Sequence, residues 1–139
     1  MLRALNWLVD QAADAFEPGM TEGTKYAAFN LMTLTMMTGT SLMPDLRGHV
    51  LIIEEVSEYL YAFDRAMFHL CSNVAEQQLA GIKLGNISDI PENDRPFGES
   101  SETIAKRWCG QSGIPYLGRA VIGHDVENRI VPFGLLGTM

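Results

Sequence analysis

Four consecutive apolar residues, Val50, Leu51, Ile52 and Ile53, run directly into Glu54 and Glu55, with Glu58 just beyond. A short continuous apolar run of this kind predicts a strand covered on both faces rather than one lying on a solvated edge. Alternation along such a strand puts Val50, Ile52, Glu54 and Val56 on one face, and Ile53 and Glu55 on the other. A carboxylate carried onto a covered face needs a partner, because an unpaired buried charge is costly. Composition alone also permits a plain solvated strand end.

Far downstream, the segment IGHDVENRIVPFG offers that partner: His124 follows Gly123, which leaves room around it, and precedes the polar Asp125 and Asn128. A histidine acts as a general base near neutral pH, and a carboxylate bonded to its second nitrogen fixes the tautomer and steadies the imidazolium. Glu54 and His124 therefore read as two thirds of a catalytic triad, against the alternative of an ordinary loop histidine. No nucleophile accompanies them. The stretch from Cys109 to Gly113, with Ser112 inside it, is one residue short of a G-x-S-x-G elbow and follows a helix, so Gly110 to Gly113 reads as a helix stop. Ser57 lies close to the carboxylates but has no adjacent base. Cys71 and Cys109 occupy apolar or cap positions that do not predict an activated thiol. His49 and His69 read as structural or exposed, and no two of the three histidines have zinc-ligand spacing, so no metal and no cofactor is expected.

At 139 residues, with 47% hydrophobic and 19% charged residues, the chain suits one principal globular domain. The formal charge of −7 and the lack of any basic cluster longer than Lys106-Arg107 exclude a concentrated phosphate-binding face, so nucleic acid is not an expected partner. Two cysteines make no disulfide framework. The opening MLRALNWLVDQAADAF is interrupted by Arg3, Asp10 and Asp14, unlike a signal peptide or a spanning helix. A cytoplasmic protein without a membrane partner is the expectation.

Along the chain, Leu2, Leu5, Leu8 and Val9 mark an amphipathic helix that ends before Glu17-Pro-Gly. Residues 16–25 read as a connector, which makes residues 1–20 resemble the tail of a preceding unit. Residues 28–37 carry a helical pattern with Gly39 placed to cap it, and their methionines read as core filler. A longer helix is predicted over residues 61–78, striped by Phe63, Met67, Leu70 and Val74. A strand over 79–87 follows, then a polar loop over 86–100, and a short helix over 103–109 capped by Ser100 or Ser101. Further strands are predicted over 115–122 and 129–133. Strands interleaved with helices indicate an α/β or α+β domain.

These motifs resemble the serine LD-carboxypeptidases, the peptidases that trim murein tetrapeptides. IEEVSEYLYAFDR matches the family's L-E-D-V-x-E strand end and Y-x-x-D-R helix start, placing Glu54 on the catalytic glutamate, Glu55 on the neighbouring acid and Asp64-Arg65 on the D-R pair. Gly123, His124, Asn128, Pro132 and Gly134 match G-H-x-x-x-N-x-x-x-P-x-G, placing His124 on the catalytic histidine. The similarity runs from about Asn30 to Gly134. Ala28-Phe29-Asn30-Leu31 stands where the family has G-G-N-L, and the chain contains no G-x-S-D, the family's nucleophile motif.

The resemblance implies an α/β fold, the swivelling β/β/α domain with a barrel-like sheet that forms the C-terminal half of a two-domain hydrolase. Residues 1–20 would be a helical remnant or connector from the nucleophile domain, and 21–139 the C-terminal domain. It further implies release of terminal D-alanine from murein tetrapeptides, an N-terminal nucleophile domain as partner, and a homodimer. Asp64 and Arg65 are expected to form a structural ion pair or brace their helix. A branch of the family that hydrolyses aminoacyl-nucleotide antibiotics for self-immunity is the alternative activity, and a non-catalytic binding or assembly module the alternative class.

Overall fold

The computed structural model describes residues 2–10, 13–124 and 128–136. After α1 (Leu2–Asp10), the chain forms β1 (Lys25–Asn30), α2 (Leu31–Met37), β2 (His49–Val56), α3 (Leu60–Val74), β3 (Gly81–Ser88), α4 (Ser101–Gln111), β4 (Tyr116–Arg119) and β5 (Gly134–Leu135). The apolar run identified in the sequence becomes β2, the middle of a five-stranded sheet ordered β4-β3-β2-β1-β5, and every residue of it except Val56 is buried. β2 pairs in parallel with β1 and with β3, β4 pairs in parallel with β3, and only β5 is antiparallel to its neighbour. Parallel neighbours require crossovers, which α2, α3 and α4 supply in turn.

All three crossover helices contribute to one core. Leu31 and Leu34 of α2, Phe63, Met67, Leu70 and Val74 of α3, and Ile104 and Cys109 of α4 pack with Ala27, Leu51, Ile53, Ile82 and Leu84 of the sheet. The opposite face is covered by the end of the chain: Ala120 and Ile122 close over Ile52, and Leu136 over Tyr26 and Val50. This two-sided covering is why Val50–Ile53 of β2 are apolar on both faces instead of alternating. The chain is thus a mixed α/β domain whose outer strands are β4 and β5.

The structure corrects three readings of the sequence. Residues 28–30 belong to β1 and not to a helix, with Asn30 ending the strand and capping α2 through its side chain, which accepts from the Thr33 N–H at 2.9 Å. No loop separates the two elements, Leu31 following Asn30 directly, so their patterns merge in the sequence. The predicted strand over 129–133 is reduced to a single bridge between Ile130 and Phe16, with pairing resumed only at Gly134, beyond Pro132, which has no N–H to give. The strand predicted over 115–122 is regular only across β4. α1 forms as expected, yet Leu5, Leu8 and Val9 on its apolar side are exposed.

α4 forms where the sequence places a helix over 103–109, but it runs from Ser101 to Gln111 with Gly110 inside it. Ser100 accepts from the Thr103 N–H as N-cap, Glu102 lies in the first turn and pairs with Lys106, and Gly113 adopts a φ of +68° just past the helix end. Arg107 and Trp108 on its side face both donate to Asp64 Oδ1 at 2.7 Å, joining α4 to α3.

The register of α3 makes a contrasting pair of predictions. Phe63 has no exposed surface whereas Phe68 is half exposed. Phe63→Ala should lower unfolding stability in urea by about 3–5 kcal/mol through lost burial and the cavity left behind. Phe68→Ala, despite identical chemistry, should cost much less than that.

Candidate active site

The bland alternative for Glu54 and Glu55, a solvated strand end, does not describe this structure, since both are buried. Their side chains leave β2 on opposite faces, as alternation requires, and each meets a different set of donors. Glu55 faces the helices: Oε1 accepts from Asn30 Nδ2 at 2.7 Å and from its neighbour's Val56 N–H at 3.0 Å, and Oε2 from the Met32 N–H at 2.9 Å. The carboxylate thus satisfies an otherwise orphaned amide in the first turn of α2, where negative charge is favoured. Asn30, retained where both preceding glycines of the family pattern are replaced, holds this corner together by binding Glu55 with its amide and α2 with its carbonyl.

Glu54 faces the other way, toward the segment that follows β4. Its Oε2 accepts from His124 Nδ1 at 2.8 Å, bringing together the two residues singled out in the sequence. The Glu54 side chain is only 10% exposed while that of His124 is 58% exposed, so the anchor is buried and the ring faces outward. With Nδ1 committed to the carboxylate, Nε2 lies on the opposite edge of the ring. This is the orientation of a base whose tautomer is fixed from behind and whose working nitrogen points away from the protein.

Two glycines make the approach possible. Gly85 on β3 has a backbone that ordinary residues can adopt, but a Cβ there would lie 2.6 Å from the Ile122 carbonyl oxygen and 3.1 Å from Glu54 Cβ. A Cβ on Gly123 would lie 2.8 Å from Asn86 Cβ. The histidine segment is therefore laid directly on β3, where the Asn86 N–H donates to the Ile122 carbonyl at 2.7 Å and the Ala120 N–H to the Leu84 carbonyl at 2.9 Å. Asn128 Oδ1 accepts from the Gly123 N–H at 3.2 Å. Asp125, also noted in the sequence, lies outside the described residues. Gly85 was not singled out in the sequence, although a glycine within a strand is itself a sign of close backbone approach.

The other candidates stand elsewhere. His49 is buried beside Phe133 with Nδ1 3.2 Å from the Arg47 carbonyl, and His69 Nε2 lies 3.1 Å from Thr38 Oγ1 across α2 and α3. Asp64 and Arg65 do not pair. Adjacent residues on a helix diverge, so Asp64 turns to Arg107 and Trp108 while the Arg65 guanidinium lies over the Tyr61 ring. Glu99 and Asp64 together hold the Arg107 guanidinium above its ordinary range. Ser112 is the C-cap of α4, in no strand-to-helix turn. Ser57 adopts a φ of +60°, uncommon for a residue with a side chain, as the chain leaves β2. Cys71 and Cys109 are both buried, and the Cys71 thiol is pushed well above its ordinary range by its contact with Cys109 and by burial. Among the described residues, no three metal-binding side chains cluster, and no helix is long and apolar enough to cross a membrane.

Residues 25–139 match the family described as the LD-carboxypeptidase C-terminal domain, and the chain belongs to that family. It is 32% identical over 130 residues to a protein of Synechocystis sp. that carries a carboxypeptidase name, covering 91% of this chain and 42% of the relative. It is 29% identical over 106 residues to the murein tetrapeptide carboxypeptidase of Pseudomonas aeruginosa, covering 76% of this chain and 34% of that protein. Its fold is similar to that of the muramoyltetrapeptide carboxypeptidase from Oxalobacter formigenes, with a TM-score of 0.75 over 96% of this chain and 50% of that one, at 23% identity. The chain thus spans half or less of the length of each of these proteins.

The glycine argument is open to direct test. Gly85→Ala should destabilise the chain by about 1–3 kcal/mol in chemical unfolding, as expected for overpacking a tight contact. A crystal structure of the variant should show residues 120–124 lifted from β3 and His124 Nδ1 drawn away from Glu54. Gly110→Ala, at a position with open space around it, should do neither.

Proposed function

We propose that this chain is the C-terminal domain of a serine-type LD-carboxypeptidase and contributes Glu54 and His124 to a Ser-His-Glu triad whose serine lies in a separate N-terminal domain. The observation that carries the reading is the 2.8 Å contact between His124 Nδ1 and the buried carboxylate of Glu54, with the ring presented outward. The absence of any G-x-S-D from the chain, and its coverage of only 34–42% of the length of two relatives, support a nucleophile supplied from elsewhere. In this division residues 1–20 lead in from the nucleophile domain and 21–139 form the C-terminal domain. The exposed apolar residues of α1 fit a contact with that preceding unit.

The chemistry follows from the geometry. The serine hydroxyl attacks the carbonyl of the scissile bond while His124 Nε2 takes its proton. Glu54 holds the ring and stabilises the imidazolium that forms. The same nitrogen returns the proton to the departing amine, and in the second half of the cycle it draws a proton from the water that opens the acyl-enzyme. The substrate is a murein tetrapeptide, as the name of the Pseudomonas aeruginosa relative suggests, and the leaving group is D-alanine, as the family resemblance implies. The two free cysteines suit a cytoplasmic enzyme, and a homodimer is the assembly expected of the family.

The reading is tested by assaying D-alanine release from a free tetrapeptide. The isolated chain should be inactive, and the protein with its nucleophile domain active. In the active protein His124→Ala and Glu54→Ala should each lower kcat by about 10²–10⁴-fold, with a double variant scarcely worse than the more damaging single, because triad members act as a unit. His69→Ala should stay within a few fold of the parent. Full activity in His124→Ala would refute the mechanism, and cleavage of an aminoacyl sulfamoyl adenylate in place of the tetrapeptide would refute the substrate.

A further inference from the structure

A second buried carboxylate lies on the face of the sheet that carries Glu54, and the mechanism above does not use it. Glu17 is 4% exposed, although it sits in a connector before β1. Its Oε1 is 3.0 Å from Lys83 Nζ, and its Oε2 accepts from the Val121 N–H at 2.8 Å. Lys83 is on β3 in register with Ile52 of β2, so it projects from the same sheet face as Glu54. Val121 is three residues before His124. The carboxylate therefore connects the sheet that holds Glu54 to the segment that holds His124.

The backbone around Glu17 completes the connection. The Glu17 N–H donates to the Ile130 carbonyl at 3.0 Å, the Ile130 N–H to the Ala15 carbonyl at 2.9 Å, and the Arg129 N–H to the Val121 carbonyl at 3.1 Å. The Arg129 guanidinium reaches the Asp14 carbonyl. Val121, before His124, and Arg129 and Ile130, after it, are thus fastened to residues 14–17. Val121 is held by Glu17 through its N–H and by Arg129 through its carbonyl. A buried ion pair contributes little net stability against apolar replacements of similar volume, so fold stability alone does not explain a charge at this point. What the pair provides is direction: an acceptor fixed by a cation on the sheet, aimed at one particular amide.

We propose that Glu17, oriented by Lys83, is a positioning residue for His124, setting the height of the imidazole over Glu54. This rests on the reading of Glu54 and His124 as a catalytic pair, and its consequence follows from how sharply reactivity depends on placement, since an error of about 1 Å in a reacting group costs on the order of 10²-fold.

The test uses two readouts. In the 139-residue chain, nitrogen-15 NMR of the histidine side chains reports the Nδ1 proton that His124 shares with Glu54, whether or not the protein is a peptidase. That signal should be present in the parent, lost in Glu17→Ala, and regained in Glu17→Gln, whose amide oxygen can still accept from Val121. In the active protein Glu17→Ala should lower kcat for D-alanine release by about 10–100-fold with KM nearly unchanged, and Glu17→Gln should recover most of it. Should Glu17→Ala not fold, the double variant Glu17→Leu with Lys83→Met removes the acceptor without leaving a buried charge, and it should show the same losses. An unchanged Nδ1 signal in a folded variant lacking the acceptor overturns the proposal. So does a variant that only melts earlier while its kcat stays at the parental value. A parent without peptidase activity defeats the functional reading alone, and the NMR result then decides the positioning.

Discussion

Two adjacent carboxylates at the end of one fully covered strand impose the constraint around which this domain is arranged. Neither Glu54 nor Glu55 can be left unpaired where β2 puts it, and because the strand alternates they cannot share a partner. Glu55 is answered on the helical face by Asn30 and by the start of α2. Glu54 is answered on the other face by His124. The first pairing fixes the corner where β1 turns into a helix. The second requires the end of the chain to return across the sheet, and that return covers the face the helices leave open.

The return is tightly specified. It depends on Gly85 for clearance, since the Ile122 carbonyl and the Glu54 Cβ both crowd the place where a side chain would be. Backbone bonds to Leu84 and Asn86 then extend the pairing along β3 almost to His124. The result places a rigid, buried anion behind an exposed ring. Preorganisation of this kind is what a base needs if its partner is to arrive on another domain, because neither tautomer nor orientation has to be found again when the two halves meet.

Much of this was legible in the sequence where a local pattern and its tertiary use coincide. The apolar run of β2, the stripe of α3 and the Ser100 cap of α4 each state their own structure. The opposed directions of Glu54 and Glu55 follow from alternation alone. What was lost lies where one residue serves two elements or where the partner is remote. Asn30 ends β1 and caps α2 at once, so strand and helix read as a single helix. Asp64 does join a structural ion pair that braces its helix, but its partner, Arg107, is 43 residues away and carries no local mark in the sequence. Glu17 read as connector because a carboxylate beside Pro18 and Gly19 carries no local mark of burial. The one available signal was Lys83, a cation inside an apolar strand that had to be met by an anion somewhere.

The central claim is that this chain holds the base and its orienter while the nucleophile belongs to another part of the protein. A serine-directed covalent phosphonate, applied to the active protein and followed by peptide mapping, tests it most directly. The adduct should fall on a serine outside these 139 residues, and its rate of formation should collapse in His124→Ala. An adduct on Ser57, Ser112 or any other serine of this chain, or a labelling rate indifferent to His124, would contradict the account.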